Sequence, residues 1–155
     1  MTSEHIPNAG HPKLKSYQIV AAVIESSGRI LCVQRGPNAR DYISHKWEFP
    51  GGKVEPGEGQ ASALEREIEE ELRVRVRAVE RLVTVEHTYP DFAISMHAWL
   101  CSPLEPAQPV ELTEHINARW ENPSDPGFAA LDWAAADLPI VELLRERAAR
   151  KVTAQ

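Results

Sequence analysis

Three glutamates, Glu67, Glu70 and Glu71, stand at i, i+3 and i+4 of one short segment. On a helix those positions are neighbours on one surface. Carboxylates crowded in this way repel one another and weaken the helix that carries them, so the cluster asks for a compensating cation. A site built of oxygen alone suits a hard ion such as Mg2+, with Mn2+ as an alternative, and such an ion keeps several waters and shares substrate phosphates. The chemistry implied is metal-assisted cleavage of a phosphate compound. A bare acidic run is more often a solvated helix face, so its surroundings matter. Upstream, Pro50 leads into Gly51-Gly52, and glycine lets backbone approach a ligand closely.

The spacing between glycine turn and acidic segment is itself informative. Five residues separate Gly52 from Glu58, and seven more lead to Arg66-Glu67, Ile68, Glu69, Glu70-Glu71, Leu72, Arg73 and Val74. This resembles the Nudix box, G-x5-E-x7-R-E-U-x-E-E-x-G-U, where U is a bulky aliphatic residue. The departure is Arg73, which stands where glycine is usual. The resemblance implies a hydrolase in which the Gly52 carbonyl, Glu67, Glu70 and Glu71 hold metal, while Glu58 pairs with Arg66 and fixes the loop against the helix. A carboxylate not saturated by metal would take a proton from the attacking water. Glu70, Glu71 and Glu114 are the candidates, and the sequence does not choose among them.

The segment WEFPGGKVEPGE is similar to the MutT-like branch of that family, which includes oxidised-purine triphosphatases and CTP pyrophosphohydrolases. Val33-Gln34-Arg35, Tyr89-Pro90-Asp91, Glu114-His115 with Trp120, and Ala136-Asp137-Leu138-Pro139-Ile140 agree with it. The resemblance implies a small nucleotide substrate such as 8-oxo-dGTP or (d)CTP, cleaved to the monophosphate and pyrophosphate. Arg35 would reach the phosphates, and Lys53, beside the glycine turn, would assist or remain on the surface. Asp137 stands where the branch reads the base edge. An ionised Asp only accepts hydrogen bonds, which suits the cytosine N4 amino group or the N1-H and N2-H of guanine. The competing role for Asp137 is the N-cap of a final helix. Among the aromatic residues, Tyr89 is the first choice for a ring beside the base. Two other readings remain: a diphosphatase of nucleotide sugars, dinucleotides or RNA ends, and a non-catalytic nucleotide-binding module. The intact Glu67, Glu70 and Glu71 speak against the second.

Positioning these residues requires a scaffold. Tyr17 to Ile24 is a continuous apolar run suited to a buried strand, and Arg29 to Gln34 a second, joined by a turn at 25–28 into a hairpin. Residues 35–46 read as a loop. The box helix should run from Gln60 to Leu72, with Ala61, Leu64, Ile68 and Leu72 as its apolar stripe. Strands are expected at Arg73 to Val79, Leu82 to Glu86 and Ala93 to Leu100, a proline-rich loop at 102–109, and a short strand at Ala118 to Trp120. His87 and His97 read as strand residues and His115 as a loop or strand-end residue. Ile140 to Lys151 has apolar residues at helical spacing and basic ones near its end, a closing helix. The order gives an α+β sandwich, a mixed sheet between helices. The Nudix resemblance independently implies an α/β/α sandwich over about residues 17–148.

The chain of 155 residues is long enough for one domain with a sizeable core, here residues 16–155, after a loose polar tail at 1–15. A net charge of -6 argues against a stable nucleic-acid-binding surface; polyphosphates remain compatible where metal ions bridge like charges. Cys32 and Cys101 lie in apolar stretches without metal spacing and read as buried free thiols. No apolar run is long enough to span a membrane and the N-terminus lacks a signal-peptide core, so a cytoplasmic monomer or homodimer is the default expectation.

Overall fold

The run YQIVAAVI has no polar face, and the strand it forms is covered on both sides. In a computed structural model, which describes residues 14–106 and 108–154, it is the centre of β1 (Lys15–Ser26). Successive side chains of a strand point to opposite faces, and β1 uses this fully. Val20, Ala22 and Ile24 enter one core with the helix α1 (Gln60–Leu72), while Ala21 and Val23 enter the other.

β1 pairs in parallel with β6 (Phe92–Pro103) along most of its length. On its other side it pairs antiparallel with β4 (Gly51–Lys53), and at its end with β2 (Arg29–Arg35). The turn between β1 and β2 is Ser27-Gly28, both with positive φ, the geometry favoured in two-residue hairpins. β2 then carries β3 (Trp47–Glu48) and β7 (His115–Glu121) on its two sides, and β5 (Val76–Thr88) pairs antiparallel with β6. The short helix α2 (Pro126–Ala130) and α3 (Leu138–Ala154) cover the face opposite α1, where Phe49, Phe128, Trp133, Ile140, Val141 and Leu144 form the second core. The result is an α+β sandwich with a mixed sheet between helices.

Helix α1 has the expected bounds, although Ala63 takes the buried place assigned to Ala61. The two strands expected at Arg73 to Val79 and Leu82 to Glu86 are one, β5. Its register slips between Ala78 and Glu80 and again between Arg81 and Val83, so Val79 and Leu82 bulge out while Glu80 and Arg81 stay paired with Leu100 and Trp99, and the strand runs on through the apparent break. The short strands β3 and β4 and the helix α2 were not foreseen. Of the expected tail, residues 1–13 lie outside the described residues, and Lys15 already belongs to β1.

Candidate active site

Helix α1 does not present its three glutamates equally. Docking through Leu64, Ile68 and Leu72 draws Glu71, three residues after Ile68, inward until it is 8% exposed. Glu70 stays outside, its side chain 53% exposed. Glu67 lies between, and its carboxylate fills the space above Gly52 so closely that an added Cβ there would overlap it. Glycine at 52 is therefore required by close approach and not by backbone conformation. Gly51 is constrained harder, since a Cβ would strike the Val20 carbonyl in the neighbouring strand.

One guanidinium organises the motif. Arg66 Nε donates to Glu58 Oε2 (2.7 Å) and Nη2 to Glu58 Oε1 (3.0 Å), while Nη1 donates to Glu67 (3.0 Å) and Glu70 (3.1 Å). Glu58 Oε1 also accepts from the Glu55 N–H (3.0 Å), which ties the loop after β4 to the helix. At the helix end, Arg73 takes the left-handed C-cap conformation (φ 57°, ψ 31°) and its N–H reaches the Glu69 carbonyl. That bond is to a backbone carbonyl and involves none of Glu58, Glu67, Glu70 or Glu71.

The loop before β7 is fastened to the same helix. Thr113 Oγ1 and N–H both donate to the Glu71 carbonyl (2.8 and 3.2 Å), and the Glu111 N–H donates to that of Leu72 (2.9 Å). These carbonyls have no partner within the helix. Docking there sets Glu114 against Glu71. Burial pushes the Glu71 carboxyl up to about 9, with a proton-sharing contact to Glu114 and the charges of Glu114, Glu67 and Glu48 adding to it. Burial also raises Glu67, against the pull of Arg66. Among the described residues no three acidic, histidine or cysteine groups already stand at metal-coordinating spacing. The donor set nevertheless fits a hard cation: every group is a carboxylate or carbonyl oxygen, and Glu71 Oε2 is buried with no hydrogen-bond partner, an atom that a bound cation would satisfy.

Glu67, Glu71 and Glu114 line one end of a cavity of about 310 Å3, together with Gly52 and Lys53. Lys53 Nζ lies over the Tyr17 ring at 4.2 Å, so its charge is partly engaged. The other end is apolar, walled by Phe49, Phe92, Ile94 and Met96, and holds Asp137. Asp137 sits in the 3-10 turn Ala135–Asp137 and is 4% exposed; its Oδ1 accepts from the Phe49 N–H at 2.9 Å. Asp137 lines the cavity and directly precedes α3 (Leu138–Ala154), and its Oδ1 accepts from the Phe49 N–H just past β3 and not from a helix N–H. Burial, reinforced by Glu48, raises its carboxyl well above the ordinary range. That direction favours the neutral acid, whereas the Phe49 N–H and the Arg35 charge favour the carboxylate.

Tyr89 lines the cavity with its ring already covered: Tyr42 stacks on it at 5.0 Å, Phe92 packs at 5.1 Å, and its hydroxyl accepts from the Ala136 N–H. The loop that supplies Tyr42 is latched over this end through Asp91, which accepts from the Tyr42 hydroxyl and from Arg40 Nε. Between the two ends stand Arg35 and Glu48, whose charges are felt by both Glu71 and Asp137. Arg35 Nε donates to Glu48 Oε1 (3.0 Å) and His115 Nε2 bonds Glu48 Oε2 (2.9 Å). Glu48, His115 and Tyr42 were missed as site residues. The one local signal was an acidic residue between two aromatic residues, Trp47 and Phe49, that both pack in the core.

The family model for the NUDIX domain matches residues 15–144. The chain is a Nudix hydrolase. It is 36% identical to the CTP pyrophosphohydrolase of Escherichia coli over 140 residues, 88% of this chain and 98% of that protein. It is 32% identical to the 8-oxo-dGTP diphosphatase of Escherichia coli over 88 residues, 56% of this chain and 67% of that protein. The solution structure of the E. coli ORF135 protein superposes with a TM-score of 0.72 at 36% identity, covering 88% of this chain and 94% of that one. Nudix hydrolases generally use divalent metals and act on small nucleotide substrates. No helix among the described residues is long and apolar enough to cross a membrane.

Proposed function

We propose that this Nudix hydrolase is a Mg2+-dependent nucleoside triphosphate pyrophosphatase of the housecleaning type, releasing a monophosphate and pyrophosphate. One observation carries the reading. A single cavity joins an apolar recess holding a buried, hydrogen-bonded Asp137 to an end lined by Glu67, Glu71 and Glu114. A base at the first end places a phosphate chain at the second. The similarity to a CTP pyrophosphohydrolase along nearly its whole length agrees with this.

Glu67, Glu71 and the Gly52 carbonyl would hold the metal, with Glu70 joining after release from Arg66. When bound, such an ion neutralises charge developing on the phosphate oxygens and favours in-line attack by water. The chain supplies the rest. Arg35 offers cationic N–H groups to the phosphate oxygens, and Lys53 adds charge beside the glycine turn. Glu114, exposed at the acidic end and in contact with Glu71, takes the proton from the water. Asp137 commits Oδ1 to the Phe49 N–H, which leaves Oδ2 for the base. Protonated, that oxygen donates to an acceptor on the base edge; ionised, it accepts from an amino group. Cytosine and 8-oxoguanine both satisfy it, and the housecleaning role follows from hydrolysing such modified or surplus nucleotides.

The test is a panel of normal and oxidised nucleotides, nucleotide sugars and dinucleotides, ranked by kcat/KM with Mg2+. Preference for a triphosphate bearing cytosine or 8-oxoguanine is expected, and turnover of diphosphate-linked conjugates alone refutes the proposal. Asp137→Asn should reorder the bases; a variant with altered thermal stability and unaltered base ranking removes Asp137 from recognition.

A further inference from the structure

Glu48 is gripped from two sides, and this bears on how Arg35 meets a phosphate chain. An unrestrained arginine–carboxylate pair favours two parallel bonds, a fork against a fork. Here His115 already occupies Oε2, and Arg35 bonds Oε1 through Nε. Among the described residues that is the only side-chain hydrogen bond Arg35 makes, so both Nη groups remain uncommitted. Arg35 lines the cavity, its side chain 48% exposed, whereas His115 is 4% and Glu48 18% exposed. The outer member is free to meet ligand and the inner two are packed in place.

The backbone is built to bring these residues together. Glu48 lies opposite Val33 in the β2–β3 pairing. On the other edge of β2, Asn117 lies opposite Gln34, yet His115 lies opposite Arg35, so the register skips Ile116. Such a bulge re-aims a side chain and is frequent beside active sites. A regular ladder would set Ile116 opposite Arg35 and offer Glu48 no donor. The bulged Ile116 instead turns outward, 52% exposed, and packs against Gly36.

We propose that His115 and Glu48 are positioning residues for phosphate binding. By holding Glu48 Oε2, His115 prevents Glu48 from closing a two-bond pair with Arg35 and keeps the Arg35 Nη groups turned to the phosphate chain. The proposal rests on the reading of the substrate as a polyphosphate, and not on which base it carries.

The test is a double-mutant cycle read by calorimetric binding of inorganic tripolyphosphate with Mg2+, alongside KM and kcat for the best nucleotide. Tripolyphosphate has no base, so a wrong substrate base leaves this measurement intact, and failure of the panel above is distinguishable from failure here. Loss of one charge-assisted contact predicts that Arg35→Ala and His115→Ala each weaken tripolyphosphate about tenfold. The double variant should be no weaker than Arg35→Ala, because His115 acts through Arg35. His115→Gln, which keeps a donor near the Nε2 position, should recover most of the affinity, with KM rising in the Ala variant more than kcat falls. Additive losses, or a loss in kcat with KM and tripolyphosphate affinity unchanged, overturn the proposal. Should His115→Ala fail to fold, His115→Phe fills the space without a donor and must reproduce the tenfold loss; unchanged affinity in it equally overturns the proposal.

Discussion

Glu71→Gln should make the metal-free protein more stable while ending its turnover. Burial, the contact with Glu114 and the neighbouring charges push the Glu71 carboxyl from its ordinary 4.5 up to about 9. Between those two values the folded state holds a proton that the unfolded chain has released, so stability falls as pH rises through that window. Near neutral pH the penalty is at most about 3 kcal/mol at roughly 1.4 kcal/mol per pH unit. Glutamine has no charge to suppress, and its amide N–H can donate to Glu114. For a chain of this size the relief corresponds to a Tm higher by up to about 5–10 °C. The assay is thermal unfolding in a chelator from about pH 5 to about pH 9, repeated with Mg2+. The wild-type Tm should drop relative to the variant as pH rises, and added Mg2+ should stabilise the wild type well above the variant. A lower Tm for Glu71→Gln, or parallel pH curves, would show that Glu71 is neither desolvated nor crowded as described.

The two glycines of the turn should answer the same substitution differently. Gly51→Ala drives a Cβ into the Val20 backbone carbonyl and should cost about 3 kcal/mol or more in denaturant unfolding, whereas Gly52→Ala meets the Glu67 side chain and no backbone, and should cost clearly less stability while lowering kcat/KM at least about tenfold as Glu67 is displaced. Equal losses of stability in both would contradict the geometry. Arg73→Gly relieves a left-handed residue and should add about 1 kcal/mol, or a few degrees in Tm, without altering kcat. Asp137→Ala strands the buried Phe49 N–H and should destabilise by about 1–3 kcal/mol, while Asp137→Asn keeps that acceptor and should unfold close to the wild type.

Much of the site was legible because its information is local. Helix α1 announces itself by apolar residues at helical spacing, and Glu58 and Arg66 are near enough in sequence to be paired from the box alone. The unbroken apolar run of β1 required cover on both faces, which already implied helices on either side of the sheet. Arg73 stood out because the box pattern has glycine there, and the structure makes it the left-handed C-cap of α1. β5 was misread because its alternation is interrupted at Glu80-Arg81, and nothing local distinguishes a bulge from a break.

Sequence by itself thus determined the family, the fold class and the helix that carries the acidic box, all of which depend on residue identity and short spacing. Tertiary structure decided how the carboxylates of that box differ. Packing of Ile68 and Leu72 buries Glu71 and leaves Glu70 in solvent beside Arg66, although the two are adjacent in the chain. The setting of Glu48 between Arg35 and His115 depends on the registers of β3 and β7 against β2 and on one bulge, bringing together residues up to 80 positions apart. The upward shift of the Asp137 carboxyl comes from burial and from Glu48, far away in sequence. Charge state and orientation follow from burial and from neighbours distant in sequence, and only the closed fold supplies both.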